Sequence, residues 1–235
     1  MSLPKINAPE YRLNIPSTDE EITYRPFLVK EEKLLLIAHE TGDEKATFSA
    51  IKQLIKSCVI QELAVDTLPM FDIEYIFLKI RGKSVGEKID LMLTCPDDEV
   101  TTVPVQVDID EISVLMNEEH TNEVEITDNI KIVFRYPLLK DIKEIPANTS
   151  EMDLIFTLLY TCIDSISHGE EIYNQIDVSN KEIEEFIDSL TGDQFEKVTN
   201  FFQTMPKLRH VIPITNPKTG VESEVVVEGL ASFLG

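Results

Sequence analysis

The stretch Arg25-Pro-Phe-Leu-Val-Lys-Glu-Glu-Lys-Leu-Leu-Leu-Ile-Ala-His-Glu40 leads from an extended segment directly into a helix. Pro26 favours an extended conformation for the residue before it and cannot donate a ladder hydrogen bond, so the helix is predicted to begin after it. Glu31 and Glu32 fall in its first turn, where the helix dipole favours negative charge. The apolar residues at helical spacing, which predict the buried side, are Leu34, Leu35, Ile37 and Ala38. This stretch therefore predicts a buried helix at the head of a domain.

The charge of the chain is strongly negative: its 235 residues include 21 lysines and arginines against 43 aspartates and glutamates, a net charge of −22. Because phosphate binding depends on clustered basic residues, this balance argues against nucleic acid as a partner. It favours partners with basic surfaces, and a merely solvated acidic surface is the alternative. The composition is that of a globular protein, with no secretion signal at the N-terminus and no apolar run near the roughly 20 residues of a membrane span.

Helices are predicted in a first group that follows the opening stretch. Residues 46–60 carry one apolar face, and residues 70–83 follow Pro69, which suits the first turn of a helix. An antiparallel hairpin is then predicted over residues 89–110, with turn residues at its centre. A second tight hairpin is predicted over residues 123–136.

A second helical group is predicted from residue 150. Its first helix is expected to run to residue 168, and two further helices begin at the capping boxes Ser179-x-x-Glu182 and Thr191-x-x-Gln194. A last hairpin is predicted over residues 208–227. The two groups together predict an α+β fold of short helices, each group followed by a small antiparallel hairpin region.

The tips of the first and last hairpins share a local pattern. Leu93-Thr-Cys-Pro96 matches Ile214-Thr-Asn-Pro217, which suggests a weak internal duplication, with coincidence as the alternative. Such a tip, called a knuckle here, has the shape in which a zinc ribbon carries its ligands. The four ligand positions hold Cys95, Asp98, Asn216 and Thr219. Because structural zinc needs four thiolate or imidazole ligands, the knuckles are predicted to be zinc-ribbon-like in shape but without metal.

The domain organisation follows from these groups. Residues 1–21, with three prolines, predict an extended N-terminal arm with few contacts of its own. Residues 22–146 predict an N-terminal helical and hairpin region, and residues 147–235 a C-terminal one. A single continuous domain over both regions is the alternative.

No catalytic, cofactor-binding or metal-binding constellation is found in the sequence. Cys58 and Cys162 fall among apolar helical neighbours, and Cys95, at a turn, is the one thiol predicted to be accessible, without a base to activate it. The acidic runs at residues 97–99 and 108–111 lack the spacing of an EF-hand and are interpreted as solvated loop charge. The chain is therefore predicted not to be an enzyme, and a small hydrolase that uses Cys95 or an acidic run is the rival from another class.

Several segments taken together carry a resemblance to a known family. They are the run from Tyr24 to Ala38, the helix pair after it, the hairpin at 93–96, and the C-terminal order of Glu184-Glu-Phe-Ile-Asp-Ser-Leu190, Phe201-Phe202, a hairpin and Glu228-Gly-Leu-Ala-Ser-Phe233. In this order they resemble the baseplate hub assembly proteins of T-even (T4-like) bacteriophages over most of residues 22–234. The run Arg-Pro-Phe-x-x-x-Glu-Glu-Lys that begins at Arg25 is the most specific piece.

The resemblance implies a non-enzymatic, chaperone-like assembly factor for the central hub of a contractile tail baseplate. It implies phage hub or tail proteins as partners and the host cytoplasm during virion assembly, or the virion baseplate, as the location. A permanent structural component of the baseplate or tail is the alternative. The segment 22–40 and the C-terminal tail are the candidate partner surface, with burial in the core as the alternative for their apolar residues. The candidate contact residues are Arg25, Phe27, Glu31, Glu32, Lys33, Leu230 and Phe233.

Overall fold

A computed structural model describes residues 7–42, 44–144 and 151–233 of the chain. The chain divides into two compact units. Unit 1 comprises the described parts of Met1–Leu115 and Lys207–Gly235, and unit 2 those of Met116–Pro206. The predicted division after residue 146 does not coincide with these boundaries, because the C-terminal hairpin joins a sheet of unit 1.

The described residues form seven helices and eleven strands. The helices are α1 (Val29–Glu40), α2 (Glu44–Cys58), α3 (Met70–Val85), α4 (Leu139–Glu144), α5 (Glu151–Cys162), α6 (Asn180–Asp188) and α7 (Gly192–Thr204). The strands are β1 (Tyr11–Asn14), β2 (Glu21–Tyr24), β3 (Lys88–Thr94), β4 (Thr102–Asp108), β5 (Ser113–Leu115), β6 (Glu123–Thr127), β7 (Ile130–Phe134), β8 (Ile163–His168), β9 (Glu171–Asn174), β10 (Lys207–Thr215) and β11 (Glu222–Glu228). The α+β class predicted from the sequence is confirmed.

All strand pairs of the described chain are antiparallel and lie in four small sheets. Unit 1 holds the pairs β1–β2 and β3–β4 and the three-stranded sheet β11–β10–β5. Unit 2 holds one four-stranded sheet in the order β6–β7–β8–β9. Pairing of Leu208 with Val114 is what brings the C-terminal hairpin into unit 1.

The opening stretch forms the predicted helix, which begins at Val29, after Pro26. The predicted buried stripe is only partly right. Ala38 is buried, but Ile37 is 62% exposed. The helix is turned so that Glu31 and Ala38, seven residues apart and therefore on one face, point inward. The inward Glu31 has a specific partner, described below.

The N-terminal arm has more contacts than predicted. Tyr11 pairs with Tyr24 across β1 and β2. Farther on, the backbone N–H and the hydroxyl of Ser17 both donate to the carboxylate of Asp72, which is fully buried on α3. The expectation of an arm with few contacts is therefore wrong for residues 11–17, because a buried carboxylate needs hydrogen-bond donors and the arm supplies them.

Unit 2 corrects the prediction of one helix from 150 to 168. Residue 150 lies outside the described residues, and α5 ends at Cys162, after which the chain continues as β8, paired with β7. The strand β9 was not predicted at all. Ile163 and Ile166, three residues apart, continue the helical spacing past Cys162, and pairing with β7 decides in favour of a strand. The two capping boxes are confirmed, with both reciprocal hydrogen bonds present at Ser179 and at Thr191.

The core of unit 2 is an aromatic and aliphatic cluster between its sheet and helices. Phe134 of β7 stacks on Phe201 of α7 with ring centroids 4.8 Å apart, and Phe202 meets both rings edge-on. The buried members of the cluster are Val124, Ile126, Ile132, Phe134, Leu159, Cys162, Ile163, Ile183, Ile187, Val198 and Phe201.

Candidate functional site

Arg25 is held in a clamp at the N-terminus of α1. Its Nη2 atom lies 2.9 Å from Glu31 Oε1 and donates to the carbonyl of Ser57 at 2.8 Å. Its backbone N–H donates to the carbonyl of Cys58, the last residue of α2, at 3.0 Å. Glu31 Oε2 accepts from the N–H of Leu28 at 2.8 Å, which gives the helix start a capping partner. The clamp thus joins the end of β2, the start of α1 and the end of α2.

The electrostatics of this clamp favour an ionised Glu31. Burial alone would raise its pKa, but hydrogen bonds from Arg25, from the backbone of Leu28 and from Lys30 bring the pKa below its ordinary value of 4.5. The side chains of Glu31 and Arg25 are 5% and 17% exposed. The two charges therefore pair with each other inside unit 1 and are not accessible to a partner.

The accessible part of the opening stretch is the opposite side of α1. Of the charged residues predicted to bind a partner, Glu32 and Lys33 are exposed. Exposed apolar side chains accompany them, with Val29 at 69% and Leu36 at 56%. Half-buried Phe27 lines a shallow cleft here. The other residues of the cleft are Leu28, Val29, Lys30, Glu32, Ser84 and Val85.

The C-terminal tail is packed into unit 1. Leu230 and Phe233, both predicted as partner contacts, are 5% and 0% exposed. The backbone N–H of Leu230 donates to Glu74 of α3, whose burial raises the pKa of that carboxyl. The tail residues therefore stabilise unit 1, and a partner does not reach them without displacing the tail.

Unit 2 contains a second clamp of the same design, which was not predicted from the sequence. Arg135 pairs with Asp141 through two bonds, Nη1–Oδ2 at 2.6 Å and Nη2–Oδ1 at 3.1 Å. The N–H of Leu138 donates to Asp141 at 2.8 Å. The backbone N–H of Arg135 donates to the carbonyl of Cys162, the last residue of α5, at 2.8 Å. Each clamp follows a β-hairpin, and in each the arginine N–H donates to the carbonyl of a buried cysteine.

The two knuckles also repeat the same backbone pattern. In the first, the N–H of Glu99 donates to the carbonyl of Cys95 at 3.0 Å, and in the second the N–H of Gly220 donates to that of Asn216 at 2.8 Å. Glu99 and Gly220, 121 residues apart like the rest of the match, both have positive φ, 54° and 76°. The pattern shared by the two hairpin tips is thus present in the backbone as well as in the residues, and the internal duplication stays a prediction.

Hydrogen bonds from Asp97 connect the two knuckles within unit 1. Its carboxylate accepts from Asn216 Nδ2 at 2.9 and 3.1 Å and from Thr219 Oγ1 at 2.6 Å. These bonds, from Asn216 first, lower the pKa of Asp97. The interpretation of this acidic run as merely solvated charge is therefore wrong at Asp97, which holds the second hairpin tip. The likeness to a zinc ribbon stays a prediction.

Nothing within the described residues forms a group of metal-ligating side chains, and their cysteines are all free. Cys95, predicted to be accessible, is 1% exposed, and Lys218 of the second knuckle is near enough to act on its thiol electrostatically. Burial raises the pKa of Cys58 to about 11 and of Cys162 to about 12, and it raises the pKa of Cys95 as well. Thiols with raised pKa values are poor nucleophiles at neutral pH.

An apolar cleft of about 390 Å³ lies in unit 2 between the sheet and α6. Ile166 and Tyr173 contribute from β8 and β9, and Phe186 contributes from α6. His168 and Glu182 are its polar members. This volume lies at the lower end of the range of small-ligand pockets, and it is also large enough for one or two apolar side chains of a partner.

Comparison with known families matches residues 8–235 to the family described as T4 bacteriophage base plate protein. The match covers nearly the whole chain. The chain belongs to this family. No curated protein and no solved structure shows a significant match to this baseplate protein. The family places it among the proteins of a phage baseplate, whose partners are other baseplate proteins.

Within the described parts of this baseplate protein, no helix is both long enough and apolar enough to cross a membrane.

Its repeated clamp has a signal that could have been found in the sequence. Arg25, Leu28 and Glu31 recur as Arg135, Leu138 and Asp141, always 110 residues later. The signal is weak because the spacing of the proline is not conserved between the two clamps: it precedes Leu28 by two residues and Leu138 by one.

Proposed function

We propose that this baseplate protein is a non-enzymatic assembly factor that holds another protein of the central hub while the baseplate forms. Membership of the baseplate family supports the setting. The observation that carries the assembly role is the charge, a net −22 over 235 residues. Such a surface attracts a basic partner over a long range and limits self-association, two properties that suit a carrier. The host cytoplasm during virion assembly is the place proposed for this role.

The charge is concentrated in unit 2. Residues 116–206 contain 19 acidic and 6 basic side chains, a net charge of −13. The rest of the chain, residues 1–115 and 207–235, carries −9. Unit 2 is therefore the part of the chain that we expect to make the electrostatic contact with a hub protein.

The non-enzymatic part of the proposal rests on the state of the reactive groups. The three cysteines are buried with raised pKa values, and the buried carboxylates Glu31 and Asp141 are paired with arginines. The polar groups of the knuckles are engaged with one another. These side chains are thus used to stabilise the fold.

The salt dependence of binding tests the electrostatic mechanism. Co-expression with each hub protein, followed by size-exclusion chromatography, identifies the partner. The dissociation constant of that complex is expected to rise by at least about tenfold between low and high salt, because screening shortens the reach of surface charges. A complex whose affinity does not change with salt would contradict this mechanism.

A permanent structural component of the baseplate or tail is the second candidate, since the family name fits it equally. Quantitative mass spectrometry of purified particles separates the two. An assembly factor is expected at well below one copy per hub subunit, while stoichiometric copies would favour the structural role. Deletion of the gene is expected to leave hubs unassembled, and normal baseplates in the deletion strain would refute the assembly role.

A further inference from the structure

The four-stranded sheet of unit 2 has two edges that differ in their protection. At the β6 edge, Lys197 of α7 donates through Nζ to the carbonyls of Glu125 and Ile126, at 3.0 and 3.3 Å. The exposed glutamates of β6, Glu123 and Glu125, both pair with Lys131. Charged side chains and a capping lysine are the usual means by which proteins block a sheet edge. The β6 edge is therefore closed.

The β9 edge is less protected, with Glu171 as the one charged side chain of the strand. All four residues of β9, Glu171–Asn174, are exposed, and none of them is lysine or proline. Ile172 is 65% exposed and Tyr173 42%, and Ile176, just after the strand, is 92% exposed. Among the described residues no strand pairs with the outer side of β9. Three large apolar side chains thus stand at an open edge.

The backbone of β9 is arranged to accept another strand. A two-residue turn, Gly169 and Glu170, connects β8 to β9, and His168 is paired with Glu171. In such a hairpin the pair that flanks the turn exchanges its hydrogen bonds, and the next residue turns its N–H and C=O outward. Ile172 and Asn174 accordingly present their backbone groups to the free side.

A strand added beside β9 would lie next to the apolar cleft. Tyr173 belongs both to β9 and to the lining of the cleft, together with Ile166 and Phe186. Side chains of a strand alternate between the two faces of a sheet, so every second residue of an added strand points to the face of the cleft. Apolar side chains at those positions would be buried against the cleft, and the backbone of the added strand would form hydrogen bonds with β9.

The charge around β9 selects the partner. Residues 168–188 contain seven carboxylates and one lysine, within a unit of net charge −13. A second copy of this chain would bring the same negative charge to the same edge, so pairing of two β9 strands is opposed. A strand that alternates basic and apolar residues is complementary both to this negative charge and to the apolar cleft.

We infer that the β9 edge of unit 2 binds an extended, alternately basic and apolar segment of a partner protein as an added β-strand. This inference rests on the proposed function as a factor that holds another baseplate protein, and it names the surface that does so. The apolar face of the added strand covers the cleft beside Tyr173, and its basic residues, on the other face, are attracted by the net charge of −13 on unit 2.

A model peptide tests the site by itself. The probe is the acetylated, amidated ten-residue peptide (Lys-Val)₅ with a fluorescent label, titrated against the full chain and followed by anisotropy. Binding is expected, with slowed amide hydrogen exchange at Ile172 and Asn174. Methylation of every peptide nitrogen is expected to weaken binding at least about tenfold, since the backbone pairing is lost. Equal binding of the methylated peptide, or protection of other amides only, would overturn the inference.

Variants of the chain provide matched controls. Ile172→Lys imitates the protection of natural edges and is expected to weaken the peptide about tenfold. Val226→Lys adds the same charge to β11, an edge strand of unit 1 that carries three glutamates, and is expected to leave binding within about twofold. Both side chains are exposed, so the fold is retained. Equal weakening by the two variants would show a nonspecific charge effect and overturn the site.

Co-expression with the hub proteins separates failure of the site from failure of the proposed function. Loss of a hub complex in Ile172→Lys but not in Val226→Lys supports both. A hub complex that Ile172→Lys leaves intact refutes the β9 site alone. Peptide binding at β9 without any hub complex refutes the proposed function alone. If the wild-type chain formed a dimer and Ile172→Lys dissociated it, the occupant of the β9 edge would be a second copy of the chain. This outcome would overturn the inferred partner.

Discussion

The two arginine clamps perform the same structural task with carboxylates of different length. In unit 1 the longer Glu31 receives one bond from Arg25, whose guanidinium also donates to the carbonyl of Ser57. In unit 2 the shorter Asp141 receives two bonds from Arg135. Both carboxylates are about 95% buried and both accept a backbone N–H at the start of a helix. Each unit thus has a buried ion pair at the matching position of its sequence, and the two pairs differ in the number of hydrogen bonds between arginine and carboxylate.

The two clamps differ in how far each unit depends on its arginine. Glu31 has a second cation, Lys30, within 3.2 Å, and therefore keeps a partner when Arg25 is removed. Asp141 has Arg135 as its one cation among the ion pairs of the described residues. Because an uncompensated buried charge is costly, unit 2 is expected to be the more sensitive of the two.

Removal of each arginine is the strongest test of this comparison. Arg135→Ala is expected to lower the free energy of unfolding by about 3–5 kcal/mol, since it leaves Asp141 buried without its cation. Arg25→Ala is expected to cost about 2–3 kcal/mol, because Lys30 and the N–H of Leu28 remain. Urea unfolding, with hydrogen exchange to follow each unit, measures both losses.

The control for these variants is Arg12→Ala, which removes an exposed ion pair with Glu21. A surface pair of this kind contributes up to about 1 kcal/mol, so the control is expected to change little. Equal losses in Arg25→Ala and Arg135→Ala would remove the distinction between the clamps.

The pH dependence of unit 1 provides the next largest effect. The pKa of Glu31 is lowered by folding, so the carboxylate stabilises the folded state at pH values above 4.5, and this stabilisation is lost as the pH falls through the lowered pKa. Glu31→Gln is expected to reduce the free energy of unfolding by about 1.5–3 kcal/mol at pH 7. The difference from the wild type should shrink toward pH 3. A difference that stays constant from pH 7 to pH 3 would show that Glu31 is not ionised in the clamp.

Exchange of the two carboxylates tests whether each clamp requires its own side-chain length. Glu31→Asp shortens the reach to Arg25 by one methylene, and Asp141→Glu forces an extra methylene into a clamp that is already closed by two bonds. Each exchange is expected to cost about 1–2 kcal/mol, through a weakened charge-assisted bond or through crowding. Urea unfolding checks both. If either exchange left stability unchanged, the two clamps would be interchangeable.

The knuckles extend the comparison to a smaller effect. Glu99 adopts the left-handed conformation that Gly220 adopts at the matching position, at φ of 54° and 76°. Glu99→Gly is expected to stabilise unit 1 by about 0.5–1 kcal/mol, and Gly220→Ala to destabilise it by a similar amount. Thermal unfolding of the two variants should therefore shift in opposite directions. Shifts in the same direction would mean that the two tips are not equivalent.

Features that depend on near neighbours in the chain could be predicted from the sequence. The capping boxes at Ser179 and Thr191 specify helix starts, because a side chain and an N–H three residues apart can satisfy each other in any context. Pro26 places the start of α1 in the same way. The α+β class, the hairpin tips and the net charge also follow from composition and short patterns. The family resemblance of the opening run was confirmed by the match over residues 8–235.

The tertiary structure alone decided the features that depend on distant residues. Ile163–His168 continues an apolar helical pattern, and it is a strand because β7 is there to pair with it. Cys95 sits in a turn and is nevertheless buried, in a knuckle whose Asp97 binds Asn216 of the second knuckle from the other end of the chain. The face of α1 that points inward is set by Arg25 and the end of α2. In each case the free energy comes from burial and pairing across the chain, which no local window of sequence contains.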